Sequence, residues 1–416
     1  MEKGALLLRL GVFLGFVALI YFVQRFWFVN AWHRIQGISR PALRHTLQGV
    51  WWMALLVLLA GFLDPFLGHI LPRRGLGSWV IAISRLWLVA SLFAFLAYQL
   101  VGFFGWTSGL AAKLMSSRPE PVNSGRRDFF RYAAYLAGAV PLLGATYGFA
   151  AGRFRYQVRN IDVPIGNLPK PLDGMKIVQL SDIHIGDFMP REEVQRAVAM
   201  ANDLGADLAV VTGDFISNEY DPLEDCIQEL SKLQAPLGIW GCNGNHEIYA
   251  GAEAAAQHLF QKHGMRLLRQ ENAELALDGA KFNLIGVDYQ RDHMTSGPKG
   301  PMLQGLDPLI RRDLPNILLS HNPNSFRRAA EMGVELSLAG HTHGGQVKFE
   351  IVDHSISPAR LITDFVAGLY HLPMGNGSSG NGARSFLYVN RGLGTFGMPV
   401  RLGVPPEITL LTLRAG

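Results

Sequence analysis

Seven residues of the types that bind transition metals are spaced between residues 182 and 343, each shortly after an apolar run. They are Asp182, His184, Asp214, Asn245, His321, His341 and His343. Carboxylate and amide oxygens combined with imidazole nitrogens suit first-row ions such as manganese, iron or zinc. A pair of ions would need a bridging carboxylate, and Asp214, alone on its own turn, is the natural candidate. The residue types therefore predict a metal site.

Each of these residues also has an ordinary structural role when it is taken alone. An Asp or Asn at a strand–helix junction can cap the helix, and an isolated histidine such as His321 is commonly a core residue. His341 and His343 lie between Gly340 and Gly344, and glycine permits unusual backbone dihedrals at such a turn. The joint appearance of all seven in this order favours the metal site over separate coincidences.

The apolar runs before these residues have the length of buried strands. They cover residues 175–180, 208–211, 237–240, 316–320 and 336–339. Segments with apolar residues at helical spacing separate several of them, for example 190–204 and 252–263. Open α/β sheets place their sites at the carboxyl ends of the strands. We therefore predict an α/β domain over residues 152–416 with the seven side chains at one edge.

The first 151 residues have a different character. Long apolar runs with few charges cover residues 6–23, 47–71, 79–106 and 132–151. A helix of about 20 such residues crosses the ~30 Å hydrocarbon core of a bilayer. The runs predict an all-α transmembrane region of about four helices at residues 1–151. The alternative, buried helices of a soluble core, is disfavoured because such runs rarely follow one another in a soluble domain.

Basic residues predict the orientation of these helices, because cytoplasmic loops are enriched in Lys and Arg. Such residues lie between the first and second runs and between the third and fourth, namely Arg25, Arg34, Arg40, Arg44, Lys113, Arg118, Arg126 and Arg127. Arg73 and Arg74 in the opposite loop oppose this bias. The prediction is a protein of the bacterial inner (plasma) membrane whose second domain is extracytoplasmic. Arg126-Arg127 is similar to a twin-arginine export signal, and an ordinary basic flank of a membrane helix is the alternative.

The polar residues after the strands form a series of motifs. The series is Asp182-x-His184, Gly213-Asp214, Gly244-Asn245-His246-Glu247, His321 and Gly340-His341-x-His343. It resembles the metallophosphoesterases, also called calcineurin-like phosphoesterases, over about residues 175–345. The resemblance implies a two-sheet β sandwich flanked by helices and a dinuclear metal site. It implies Asp182, His184, Asp214 and His343 around one ion, and Asp214, Asn245, His321 and His341 around the other.

Three further residues, which are not expected to bind metal, are assigned other roles. His246 is expected to protonate the leaving oxygen, or alternatively to be a structural histidine beside the ligands. Glu247 stands where Asp is common in the family, and that position supports the metal site without binding the ion. The tail, with Asn390-Arg391-Gly392 and Pro405-Pro406-Glu407, resembles a membrane-associated branch. Arg391 could contact a substrate phosphate through its planar donors or form a structural salt bridge.

The predicted function is that of a membrane-anchored, dinuclear phosphohydrolase, either a phosphodiesterase or a phosphomonoesterase. Two ions about 4 Å apart activate a bridging water as hydroxide and bind the phosphoryl oxygens. The net charge of +5 favours an anionic, lipid-linked or other small phosphoester. One alternative is a UDP-2,3-diacylglucosamine pyrophosphatase of lipid A synthesis, and another is a membrane sensor or channel with a non-catalytic metal-binding domain. We find no basic stripe interleaved with aromatics, so a nucleic-acid partner is not expected.

Overall fold

The computed structural model describes residues 2–115, 124–290, 302–347, 349–351, 354–356, 358–361, 363–375 and 383–416. The chain forms two compact units, Met1–Tyr147 and Gly148–Gly416. The glycine-, serine- and asparagine-rich run from 374 to 382, read from the sequence as a loop near the site, lies mostly outside the described residues.

Long helices make up the first unit. They are α1 (Glu2–Gln36), α2 (Pro41–Leu63), α3 (Leu76–Met115) and α4 (Ser124–Ala150). Four segments are long and apolar enough to cross a membrane, namely Leu14–Gln36, Pro41–Leu63, Leu76–Leu114 and Gly125–Phe154. The predicted number of about four transmembrane helices is therefore confirmed, and the chain is a membrane protein.

The second of these helices ends earlier than the apolar run 47–71 predicts. Leu63 is the last residue of α2, and Pro65 then follows, which has no backbone N–H to continue a helix. The buried Asp64 carboxylate accepts a hydrogen bond of 2.8 Å from the Leu71 N–H and lies 3.2 Å from the Arg73 Nη1 atom. These contacts fold residues 64–71 into a compact turn.

The second unit is a mixed α/β domain. Its described strands are β1 (Gln157–Ile165), β2 (Lys176–Leu180), β3 (Leu208–Thr212), β4 (Ile239–Cys242), β5 (Arg266–Leu267), β6 (Glu271–Leu277), β7 (Ala280–Gly286), β8 (Asn316–Leu319), β9 (Leu336–Ala339), β10 (Phe349–Ile351), β11 (His354–Ile356), β12 (Gly368–Pro373), β13 (Arg384–Val389) and β14 (Glu407–Ala415). Its described α-helices are α5 (Arg191–Asn202), α6 (Leu223–Leu230), α7 (Asn245–Ala250), α8 (Glu253–Lys262) and α9 (Phe326–Met332).

Two six-stranded sheets organise these strands. Their orders are β1-β14-β2-β3-β4-β5 and β12-β13-β9-β8-β7-β6, and β10 and β11 form a separate hairpin. In the first sheet β2, β3 and β4 run parallel, and in the second β7, β8 and β9 do. Each sheet therefore brings the carboxyl ends of several strands to one edge.

The core consists of layers on both faces of the sheets, because successive side chains of a strand point to opposite sides. Ile177 on β2 belongs to a buried cluster that includes Leu319 and Leu338 of the second sheet. Its neighbour Val178 belongs to another cluster, which includes Val198 of α5. A smaller cluster joins α9 to β13. The predicted two-sheet sandwich flanked by helices is thereby confirmed.

Candidate metal centre

The loops after five strands bring all seven predicted ligands together. Asp182 and His184 follow β2, Asp214 follows β3, Asn245 begins α7 after β4, His321 follows β8, and His341 and His343 follow β9. Six of the seven side chains are buried, while His341 is partly exposed. The first sheet supplies the carboxylates and the second supplies most of the imidazoles, so the site draws its ligands from both sheets.

One group of candidate ligands contains Asp182, His184 and His343, whose ligand atoms lie within 4.8 Å of one another. The two imidazole Nε2 atoms, of His184 and His343, are 3.1 Å apart. The His343 Nε2 atom lies 3.4 Å from the Asp182 Oδ1 atom. A carboxylate oxygen and two ring nitrogens thus converge on one small volume.

A second group contains Asp214, His321 and His341, again within 4.8 Å. The His321 Nε2 atom lies 3.1 Å from the Asp214 Oδ2 atom, and the His341 Nδ1 atom lies 2.8 Å from the Asn245 Oδ1 atom. The same Asp214 Oδ2 atom is 3.6 Å from the His184 Nε2 atom of the first group. Asp214 therefore stands between the two groups.

In His321 and His184, contacts of the Nδ1 atom determine that the Nε2 atom faces the carboxylates. The His321 Nδ1–H group donates to the Thr212 carbonyl oxygen at 2.6 Å, which leaves the Nε2 atom turned towards Asp214. Apart from this approach to Asp214, the buried His321 Nε2 atom has no hydrogen-bond partner among the described residues. The His184 Nδ1 atom contacts the Ser217 hydroxyl at 3.0 Å. Such partners orient metal-binding histidines in proteins.

A buried carboxylate, Glu247, holds the loop that carries Asp214. It accepts hydrogen bonds from the backbone N–H groups of Asp214 at 2.9 Å, Phe215 at 2.8 Å and Gly244 at 2.8 Å. The Asp214 Oδ1 atom in turn accepts one from the His246 N–H at 2.9 Å. Glu247 thus acts on the geometry of the site through backbone contacts.

Several of the candidate ligands have backbone conformations that L-residues rarely adopt. The φ angles are positive at Asp182 (50°), His184 (51°), Asp214 (55°), His341 (73°) and His343 (50°). Each such residue costs on the order of 1–3 kcal/mol, and such strain clusters at functional sites. The sequence suggested unusual dihedrals at the flanking glycines Gly340 and Gly344. Of these two, only Gly344 has a positive φ angle (59°), whereas the candidate ligands named above have positive φ angles themselves.

Two glycines are needed because the carboxylates pack directly on their Cα atoms. A Cβ atom at Gly244 would lie 2.1 Å from the Asp214 Oδ1 atom, and one at Gly340 would lie 2.2 Å from the Asp182 Oδ2 atom. Any larger residue would therefore displace a candidate ligand.

The electrostatics of the cluster suit a cation. Burial lowers the pKa of His184 to about 3 and that of His341 to about 4, so both rings are neutral at neutral pH and have a free lone pair. Burial raises the pKa of Asp182 to about 6. Burial would lower the pKa of His321 as well, but the charges of Asp214 and Asp182 outweigh it and raise this pKa to about 10. Positive charge is thus favoured beside Asp214, and the residues present fit a metal centre.

The remaining predicted site residues lie beside this cluster. His246 forms a third group with His184 and Asp214 within 4.8 Å, and its ring Nδ1 atom lies 2.7 Å from the Ser217 carbonyl oxygen. The Arg391 Nε atom lies 3.3 Å from the buried Glu407 carboxylate, which is the salt bridge named as the alternative role. The Arg391 side chain packs against Gly344, where an added Cβ atom would lie 3.3 Å from the Arg391 Cγ atom, and this contact keeps Arg391 near the histidine turn.

Sequence reasoning missed Arg401, which is fully buried beside His343. Its Nη2 atom lies 3.4 Å from the His343 Nδ1 atom and donates to the Gly392 carbonyl oxygen at 3.0 Å. Its Nε–H group donates to the Gly394 carbonyl oxygen at 3.0 Å. An arginine among glycines and prolines has the signature of an exposed loop, so the sequence offered no signal for this contact.

Comparison with known proteins agrees with the fold. The family model "Calcineurin-like phosphoesterase" matches residues 175–345. A "Transmembrane protein with metallophosphoesterase domain" of Bos taurus is 30% identical over 367 residues, which are 85% of this chain and 75% of that protein. The "Uncharacterized metallophosphoesterase YkuE" of Bacillus subtilis (strain 168) is 32% identical over 70% of this chain and 98% of its own length. The chain belongs to the calcineurin-like phosphoesterase family and is a phosphoester hydrolase.

Proposed function

We propose that this protein hydrolyses phosphomonoesters or phosphodiesters with two metal ions that share Asp214. The observation that carries the proposal is the position of the Asp214 Oδ2 atom, 3.6 Å from the His184 ring nitrogen and 3.1 Å from the His321 ring nitrogen. Two ions that share one ligand require a carboxylate that lies close to the ligands of both groups, and Asp214 has this position.

The proposed ligand sets follow these contacts. One ion would be held by Asp182, His184, Asp214 and His343, and the other by Asp214, Asn245, His321 and His341. Manganese, iron and zinc all accept this mixture of oxygen and nitrogen donors. When bound, such ions lower the pKa of coordinated water and neutralise charge on the phosphoryl oxygens.

His246 is the proposed proton donor to the leaving oxygen. Its Nδ1–H group donates to the Ser217 carbonyl oxygen at 2.7 Å, which fixes the ring and leaves the Nε2 atom for the substrate. The acid is therefore the imidazolium form, whose Nε2–H proton passes to the leaving oxygen and leaves a neutral ring. Its backbone N–H binds Asp214 at 2.9 Å, so the donor and the shared carboxylate are held in one geometry. General acid catalysis of this kind contributes about 10²- to 10⁴-fold in rate.

Arg391 is the proposed contact for a substrate phosphoryl group. Its Nε atom lies 3.3 Å from the buried Glu407 carboxylate, and the planar guanidinium presents further donors on its other edge. The ion pair with Glu407 would fix the orientation of the guanidinium and so of the donors that remain for the substrate.

The proposed substrate is a lipid-linked or other small phosphoester. The membrane-spanning helices keep the enzyme at the bilayer, and the net charge of +5 favours anionic headgroups. We place the catalytic unit on the extracytoplasmic side of a bacterial inner membrane, because basic residues concentrate around the α1–α2 and α3–α4 connections.

Hydrolysis by the full-length protein in detergent tests the proposed function. Protein stripped of metal is expected to be inactive on bis-p-nitrophenyl phosphate and p-nitrophenyl phosphate and to gain activity with manganese. Asp214→Asn is expected to lower the metal-dependent rate by about 100-fold or more, because it removes the shared charge. The exposed Asp203 provides the matched control, Asp203→Asn. Absence of turnover with metal demonstrably bound would contradict the proposal.

The role of His246 predicts a dependence on the leaving group. His246→Asn is expected to slow phenyl ester hydrolysis by about 10²- to 10⁴-fold and p-nitrophenyl ester hydrolysis much less, because p-nitrophenolate departs without a proton. His258→Asn, at an exposed histidine of α8, is the control. Equal losses on both esters would indicate a structural or metal-binding role for His246 instead.

Labelling of introduced cysteines tests the orientation. Both native cysteines, Cys226 and Cys242, are buried, so background reaction with a membrane-impermeant maleimide should be low. In intact cells with a permeabilised outer membrane, Asp203→Cys is expected to react and Arg40→Cys is expected to react only after lysis. The reverse pattern would place the catalytic unit in the cytoplasm.

A further inference from the structure

An exposed aromatic ring lies against the histidines of the metal centre. The Phe396 ring centroid is 4.6 Å from that of His246 and 6.0 Å from that of His184, to which it is nearly parallel at 28°. Half of this side chain is exposed to solvent (50%). A phenyl ring has no ligand atom for a metal ion, so Phe396 is not a metal ligand. Its position beside the histidines therefore indicates another role.

The backbone of Phe396 is fastened to the turn that carries the histidine pair. The Gln346 side chain accepts a hydrogen bond from the Phe396 N–H at 3.1 Å and donates one to the Phe396 carbonyl oxygen at 2.7 Å. The Gln346 N–H in turn donates to the His343 carbonyl oxygen at 3.0 Å. The backbone that carries the ring is therefore tied to the histidine turn by the Gln346–Phe396 hydrogen bonds, which span 50 residues of chain.

A second exposed ring also lies close to His246. The Tyr249 ring centroid lies 5.8 Å from that of His246, and 61% of this side chain is exposed. The exposed large hydrophobic side chains of this unit, among the residues described, are Val158, Tyr220, Tyr249, Leu369 and Phe396. Two of these five, Tyr249 and Phe396, thus lie within 5.8 Å of the His246 ring by centroid distance, and His246 is the residue proposed to protonate the leaving group.

We infer that Phe396 is a specificity-determining residue that stacks on a flat, apolar leaving group of the phosphoester, with Tyr249 as a second wall. The inference rests on the proposed function and on the place of His246 in it. Aromatic faces favour offset or edge contacts with other rings, each contributing about 0.5–1.5 kcal/mol. A small polar alcohol would leave both rings uncovered, whereas an aryl ring would cover Phe396 while its ester oxygen meets His246.

A pair of esters with leaving groups of nearly equal acidity tests this inference. The full-length, manganese-loaded protein is assayed on 2-naphthyl and phenyl phosphoesters, as the monoester or the methyl diester that the wild type accepts. The wild type is expected to prefer the naphthyl ester in kcat/KM, and Phe396→Ala is expected to reduce this preference by about 3- to 10-fold. Phe396→Trp should keep it, and so should Leu369→Ala, at an exposed apolar residue of β12.

The outcomes separate this inference from the proposed function. If the wild type hydrolyses both esters and Phe396→Ala leaves their ratio unchanged, Phe396 does not contact the leaving group and the inference is wrong. If the wild type hydrolyses neither ester with metal bound, the proposed function fails and the inference falls with it. A reduced preference in Gln346→Ala as well would show that the hydrogen bonds to the Phe396 backbone set the position of the ring.

Discussion

The buried carboxylate of Asp214 is the charge on which the second unit depends. A buried charge is costly unless charged or hydrogen-bonding groups surround it. Here the His321 and His184 rings approach one oxygen, while the His246 N–H donates to the other. Burial would raise the pKa of Asp214, but His321 and the neighbouring histidines hold it well below its usual range. The ends of β3, β4 and β8 must meet for these contacts to exist, so the two-sheet arrangement and the site depend on each other.

The strands and the candidate ligands were predictable from the sequence because both signals are local. A short apolar run followed by Asp, Asn or His predicts a buried strand with a polar residue at its carboxyl end, and the fold contains this arrangement, as at β3 and Asp214. Other features depend on contacts between distant segments. Arg401 meets His343 across 58 residues, and Gln346 meets Phe396 across 50. No local pattern indicates which loop arginine becomes buried or which phenylalanine remains exposed beside a histidine.

Backbone geometry accounts for the remaining differences. The positive φ angles at Asp182, His184, Asp214, His341 and His343 arise where the chain turns sharply from a strand into a loop. Side-chain chemistry predicts which residues are candidate ligands, but the strained turns that orient them follow from packing against Gly340 and Gly244. In the first unit, hydropathy predicted the transmembrane helices. The predicted apolar run extended beyond the end of α2, because apolar residues continue through the turn that begins at Asp64.

The number of metal ions per chain tests the central claim most directly. The full-length protein is stripped of metal, reloaded with manganese or zinc, freed of excess ion and measured by elemental analysis against protein concentration. Two ions that share Asp214 predict a stoichiometry of two ions per chain in the wild type and in Asp203→Asn. In Asp214→Asn the number of bound ions per chain is expected to fall markedly. One ion per chain, or a stoichiometry that Asp214→Asn leaves unchanged, would contradict a pair of ions that share this carboxylate.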